Sequence, residues 1–259
     1  MSIRPRRSVL YMPASNARAI DKARTLPADG IILDLEDAVA PDAKVAARAQ
    51  AVAAVKQGEF GGRGVVIPIK GPATPRAIDE LPPAVAAAPA AGVPKVLDTP
   101  WAIDDLAAAV EAAPDAIVIP KVSAPDILSM LGTRLLDMHG AHRIRVWAMI
   151  ETPMAILRIH DIAMLAKDSE TRLEGFIVGT NDLVKEARGR IVPGRAPLLP
   201  WLAIAIAAAR AYGLAILDGP YNDFKDAEGL ARECAQGRDM GFDGKTIIHP
   251  AQIDACNAA

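Results

Sequence analysis

Apolar runs rich in β-branched residues recur along the chain as "SVLYMP", "GIILDLE", "GVVIPIK", "DAIVIPK", "RVWAMIE", "GFIVGT", "LAILDG" and "GKTIIHP". Between them lie Ala-rich stretches of helical periodicity, such as "NARAIDKARTL", "AKVAARAQAVAAVKQ", "AIDDLAAAVEAA" and "LAIAIAAARAYG". A strand that alternates apolar and polar residues buries one face. These runs are mostly apolar and do not alternate, so both faces are expected to be buried, as in a parallel sheet covered by helices. Eight such strands alternating with helices predict an α/β fold, a (β/α)8 TIM barrel forming a single domain over residues 1–259. An open doubly wound sheet is the alternative, and the count of eight disfavours it.

The stretch from about 68 to 97, "PIKGPATPRAIDELPPAVAAAPAAGVPKVL", breaks the pattern with its density of Pro and Ala. Pro68 falls inside the third strand, where its missing N–H removes a ladder bond unless the strand ends there. The reading is an early end to strand 3, then a surface excursion with a helical turn or more around Arg76 to Val85.

In such a barrel the loops after the strands build the active face. Strand 2 runs through Asp34 to Glu36 and Asp37, strand 4 ends at Lys121, and strand 5 at Glu151. Strand 6 leads into "GTNDL" with Asp182, strand 7 ends at Asp218 and strand 8 at His249. One acidic strand end is ordinary solvation; so many ionisable groups at one rim predict an active site.

Hard oxygen ligands suit Mg2+, which keeps several waters and is typically held by one or two carboxylates and oxygens of the substrate. Glu151 and Asp182 are therefore the metal candidates, with Glu36 and Asp37 able to orient metal-bound waters. The four histidines, His139, His142, His160 and His249, form no ligand spacing. A substrate with adjacent carboxylate and hydroxyl or keto oxygens can chelate such an ion, which makes oxoacid or hydroxyacid chemistry the expectation. Lys121 fits a lysine paired with a rim carboxylate better than a Schiff base, which needs a desolvated amine. Near the start, Ser15 or Asn16 caps a helix whose free N–H groups can receive a phosphate, and Arg18 and Lys22 share a face of it.

Composition narrows the partner. The chain has 259 residues, 51% hydrophobic and 23% charged, with a net charge of −2 and no Lys/Arg run, so neither nucleic acid nor an anionic membrane is expected. Two cysteines make no disulfide framework, and no signal-peptide core or membrane-length segment is present, which points to a cytoplasmic protein acting on a small molecule. No GxGxxG, GxxxxGK[ST] or GxSxG motif occurs.

Six segments in order, "RRSVLYMPAS", "ILDLEDAVAPDAK", "IETPMAI", "GTNDL", "ILDGPYNDFKDAEG" and "GFDGKTIIHPAQI", resemble the citrate lyase beta-subunit-like group of the HpcH/HpaI aldolase superfamily. The resemblance implies a Mg2+-dependent barrel, usually a homotrimer or hexamer. Its reaction would be a Claisen-type cleavage of a short hydroxyacyl-CoA of malyl, citramalyl or citryl type to an acyl-CoA and an oxoacid. It implies Glu151 and Asp182 as metal ligands, Glu36 and Asp37 as the acidic pair beside them, and Asp218 and His249 at the pocket rim. Ser15, Asn16, Arg18 and Lys22 would lie near the CoA phosphates.

Three features depart from the resemblance. Relatives continue strand 3 as an "RVN" run whose Arg steadies the thioester enolate; here "PIK" puts Pro68 in its place and leaves Lys70 or Arg76 as substitutes, while Arg63 lies before the strand. "LDTPW" appears only at Leu97 to Trp101, as an insertion or a local shift of reading frame would leave it. The chain stops soon after strand 8, so the family's C-terminal lid is expected to be lacking. A lyase is thus expected, with a CoA-independent hydroxy-oxoacid aldolase and a non-catalytic homologue or subunit as alternatives.

Overall fold

The computed structural model describes residues 5–35, 38–69 and 100–259. Its eight strands are β1 (Ser8–Pro13), β2 (Gly30–Asp34), β3 (Gly64–Pro68), β4 (Ala116–Ile119), β5 (Arg145–Ile150), β6 (Leu173–Val178), β7 (Ala215–Asp218) and β8 (Gly244–Ile247). All pairs are parallel, and β8 returns to β1, so the sheet is a closed barrel in chain order. The expected barrel is the observed one.

The helices outside it are α1 (Ala17–Ala23), α2 (Lys44–Gln57), α3 (Pro100–Ala112), α4 (Pro125–Leu136), α5 (Pro153–Leu157), α6 (Ile159–Met164), α7 (Thr180–Glu186), α8 (Leu199–Ala211), α9 (Ala227–Met240) and α10 (Ile253–Ala258). Proline opens several of them. Pro125 and Pro153 sit in the first turn, where an N–H has no helical partner to lose. Each helix turns small or aliphatic residues inward, as α2 does with Ala47, Ala51 and Ala54.

The uninterrupted apolar strands are explained by two separate cores. Leu10, Ile31, Leu33, Ile67, Ile117 and Ile216 point outward and pack beneath the helices. Val9, Ile32, Val66, Val118, Trp147, Ile177 and Leu217, one step away along the same strands, point inward and fill the barrel. Each fully buried aliphatic side chain adds about 1.5–3 kcal/mol relative to leaving it exposed. At the bottom of the barrel, Trp147 donates its indole N–H to Glu174 at 2.9 Å. Arg6 lies 5.0 Å over the indole ring and 3.1 Å from the Glu174 carboxylate. Among the described residues, the filled interior and this polar plug close the lower part of the barrel, and its inner space opens at the C-terminal mouth.

Pro68 is the last residue of β3, and the Ile69 N–H donates to the Val118 carbonyl at 3.1 Å. Arg63 stays at the N-terminal side of the strand, donating to the carbonyls of Leu26 and Phe60 at 2.8 Å each. α2 and α3 are joined by a buried pair, Arg48 Nε to Asp105 at 2.6 Å. Glu36, Asp37, Lys70 and the helical turn expected at Arg76 to Val85 lie outside the described residues.

Where β8 meets β1, Ser8 pairs with Lys245 and the Lys245 N–H donates to the Arg7 carbonyl at 3.0 Å. Gly244 faces the chain entering β1 so closely that a Cβ there would run into the Arg6 carbonyl. Backbone cannot yield as a side-chain tip can. Gly244→Ala is therefore expected to lower stability by roughly 3 kcal/mol, read as a fall in thermal midpoint or in the denaturant midpoint.

Candidate active site

A cavity of about 480 Å³ opens at the C-terminal mouth. Its walls are the next inward step on each strand above the packed interior: Pro13 from β1, Asp34 from β2, Pro68 from β3, Glu151 after β5 and Gly179 after β6. Asp182, in the first turn of α7, lies on the same cavity, as does Lys121. The floor is apolar, formed by Met149 and Ile177 with Tyr11 and Thr246 at its sides.

Glu151 is 2% exposed. Its Oε1 accepts the Lys121 backbone N–H at 2.7 Å, and Lys121 can offer that N–H because its φ of +53° turns the chain after β4. On the other side Gly179 lies flat against the carboxylate, since a Cβ at 179 would stand 2.5 Å from both Cβ and Oε2 of Glu151. The carboxylate is thus clamped between two backbones. β4 itself stops at Ile119, two residues short of the expected end at Lys121, because that turn begins there.

Asp34 is buried at 9% exposure, and its Oδ2 accepts the Ala38 N–H at 3.3 Å. The buried Lys44 ammonium donates to the Leu35 carbonyl at 2.5 Å and so fixes the backbone just past the end of β2. That contact accounts for the lysine that ends "AVAPDAK".

Among the described residues that line the cavity, three are carboxylates (Asp34, Glu151 and Asp182) and Lys121 is the cation. No three His, Cys, Asp or Glu side chains among the described residues gather closely enough to hold a metal by themselves. Two carboxylates with the remaining positions left to water and substrate are what Mg2+ accepts, and with neither His nor Cys on the cavity wall the donor chemistry fits that ion.

Asp218 was expected at the rim and faces the other way. One step above the inward Leu217, its carboxylate points out of the barrel, where it takes both oxygens to Arg195 at 2.8 Å and one to Lys245 at 2.8 Å. Glu233 of α9 completes the group, 2.6 Å from the Lys245 ammonium. Burial works against that ammonium, but Asp218 and Glu233 more than offset it and hold its pKa above the ordinary lysine value. Removing one partner from such a buried set costs about 3–5 kcal/mol, because the other charge is left uncompensated.

His249 is not on the cavity wall either. Its Nδ1 accepts the Ala251 N–H at 3.1 Å, and its ring stacks on Phe224 at 4.5 Å. It caps the turn before α10. Asn16, rather than Ser15, caps α1 by accepting the Ala19 N–H at 3.0 Å, and Ser15, Arg18 and Lys22 are exposed beside it. None of these four lines the cavity. Around the mouth, Asn181 and Asn222 exchange amide hydrogen bonds at 2.8 and 3.1 Å. Tyr221 donates its hydroxyl to Asp226 at 2.6 Å.

The HpcH/HpaI aldolase/citrate lyase family model matches residues 7–96 and 64–250. The chain belongs to that family. Its two matches overlap across the Pro/Ala-rich stretch. A (3S)-malyl-CoA thioesterase of Cereibacter sphaeroides is 43% identical over 98% of this chain and 76% of its own length. The Escherichia coli citrate lyase subunit beta is 29% identical over 97% of this chain and 75% of its own. Among solved structures, the citrate lyase beta subunit of M. tuberculosis complexed with oxaloacetate and magnesium superposes with a TM-score of 0.73 at 25% identity, covering 98% of this chain and 96% of that one. A structure of that organism's protein with magnesium, acetoacetate and coenzyme A gives 0.69 at 25% identity, covering 98% and 79%. No helix among the described residues is long and apolar enough to cross a membrane.

Two outcomes follow from these contacts. Gly179→Ala is expected to push the Glu151 carboxylate aside and weaken divalent-ion binding at least tenfold, measured by Mn2+ titration with electron paramagnetic resonance. The Tyr221 hydroxyl and the Gly229 N–H hold Asp226 below the usual carboxylate range, and the same hydrogen bond to Asp226 pushes the Tyr221 hydroxyl up to about 12. A depressed carboxylate stabilises the fold above its ordinary pKa of about 3.9 and stops doing so only as pH falls through the lower folded value. Tyr221→Phe should therefore raise the Asp226 pKa toward that ordinary value, followed by carboxyl NMR titration.

Proposed function

We propose that the protein is a Mg2+-dependent carbon–carbon lyase that cleaves a short hydroxyacyl-CoA to an acyl-CoA and an oxoacid. The observation that carries this reading is that Glu151 and Asp182, from successive βα units, line one cavity at the barrel mouth. The family's solved complexes with magnesium, oxoacids and coenzyme A support it. Glu151 and Asp182 would hold the ion, and Glu36 and Asp37 are the acids proposed to act on its water ligands. Bound Mg2+ supplies Lewis-acid polarisation of substrate oxygens.

The chain's own residues have three tasks. The Glu151 clamp presets one carboxylate, so no side-chain ordering is needed when substrate arrives. An inward carboxylate, with Asp34 the described one on the β2 side, takes the proton of the substrate hydroxyl. The carbon–carbon bond then breaks as the carbonyl forms, and its electron pair passes to the thioester as an enolate, which takes up a proton to become the acyl-CoA. Lys121 is the described cavity cation available to that enolate, and Lys70 is the further cation proposed in place of the Arg that Pro68 replaces. The apolar floor of Met149 and Ile177 faces the carbon chain of the substrate.

Hydrolysis is the second reading, favoured by the relative named as a thioesterase at 43% identity. There water adds to the thioester carbonyl, the carbon–sulfur bond breaks, and the free thiol of CoA leaves. The products separate the two: cleavage yields a carbonyl compound with the thioester intact, and hydrolysis yields a free thiol. Incubation of the protein with several hydroxyacyl-CoA thioesters, with Mg2+ and with chelator, is expected to give Mg2+-dependent carbonyl release. Glu151→Gln should lower that rate on the order of 100-fold or more. Thiol release without carbonyl product would move the assignment to hydrolysis, and ion binding without turnover of either kind would leave a non-catalytic homologue.

A further inference from the structure

The proposed chemistry leaves a pair of thiols unused. Cys234 on α9 and Cys256 on α10 are both buried, and their sulfurs lie 3.6 Å apart. The two lie 22 residues apart, with β8 between them, but share one cavity of about 230 Å³ with Asp218 and Lys245, next to Arg7 and Arg238. Among the described residues no further His, Cys, Asp or Glu completes a metal set around them. A small uncharged oxidant fits that volume.

We propose that Cys234 and Cys256 form a reversible disulfide, made by a two-electron oxidant of the peroxide class, that ties α10 to α9. The two thiols are not equivalent. Contact with the Cys256 sulfur holds Cys234 below the ordinary cysteine range, with the Lys245 ammonium acting in the same direction. The same contact, together with burial, pushes Cys256 up. Cys234 is therefore the nucleophile. Its thiolate attacks the peroxide O–O bond, giving a sulfenic acid and hydroxide; the Cys256 sulfur then displaces the sulfenic oxygen, whose departure as water takes up the thiol proton. Two electrons pass from the sulfurs to the peroxide, and the hydroxide takes up the proton that the Cys234 thiol gave off on ionising, so the peroxide ends as two waters.

The sulfurs must close by about 1.5 Å to reach disulfide length. α10 is only six residues long, so it can make that move more cheaply than the 14-residue α9. α10 also follows directly on the turn in which Gln252 accepts the N–H groups of Ile248 and His249 and donates to the Tyr221 carbonyl at 2.8 Å. A bond at Cys256 thus fastens the segment that braces the cavity mouth.

The test treats the full chain with hydrogen peroxide, alkylates the remaining thiols and measures intact mass and linked peptides. The expected product is about 2 Da lighter than the reduced chain, for two hydrogens lost, carries no alkyl label, contains the Cys234–Cys256 peptide pair and reverts with dithiothreitol. Cys256→Ser should instead leave Cys234 as a trappable sulfenic acid. Two alkylatable thiols after peroxide, or oxidation found only on methionine or between chains, would overturn the proposal, whatever reaction the barrel catalyses.

Discussion

A side chain on a closed barrel strand has two places to go, the axis or the helices, and one step along the backbone exchanges them. The molecule is built around that parity. It divides the apolar residues into an inner core around Ile32, Trp147 and Ile177 and an outer core around Leu33, Ile117 and Phe176. Where the inner core stops, the next inward residues become the cavity: Asp34 two residues beyond Ile32, and Glu151 two beyond Met149. The same count sends Asp218 out to Arg195 and Lys245.

Charge inside this barrel is therefore of two kinds. Asp218, Arg195, Lys245 and Glu233 form a compensated set between the barrel and its helices, two cations with two anions, where each group's value lies in keeping the others paired. The cavity carries an excess of carboxylate among its described residues, which a divalent ion would balance. Two backbone positions without a Cβ hold this arrangement in place. The Glu151 carboxylate fits only because residue 179 lacks a Cβ, and the barrel seam closes only because residue 244 does.

The mouth is braced by side chains that hold its loops to one another. Asn181 and Asn222 tie the first turn of α7, which bears Asp182, to the loop after β7. Phe224 on His249 and Gln252 on Tyr221 tie that loop to the turn before α10. His249 and Asp218 stand at strand ends, where functional residues gather in barrels, yet here they do this bracing and pairing.

The sequence alone pointed to the barrel, because eight mostly apolar runs suit a parallel sheet covered on both sides and their number suits its closure. It also determined which strand ends bear ionisable groups, and six ordered motifs were enough to name the family. It did not decide which of those groups share the cavity. Glu151, Asp182 and Asp218 read alike as acids near strand ends, but strand tilt, the exact residue at which a strand stops and the parity of the count set their directions. Nor did it show that Lys121 serves Glu151 through its backbone N–H, that Gly179 makes the slot for that carboxylate, or that two cysteines far apart in the chain meet. Those are contacts between elements distant in sequence, and closure of the barrel alone brings them within reach.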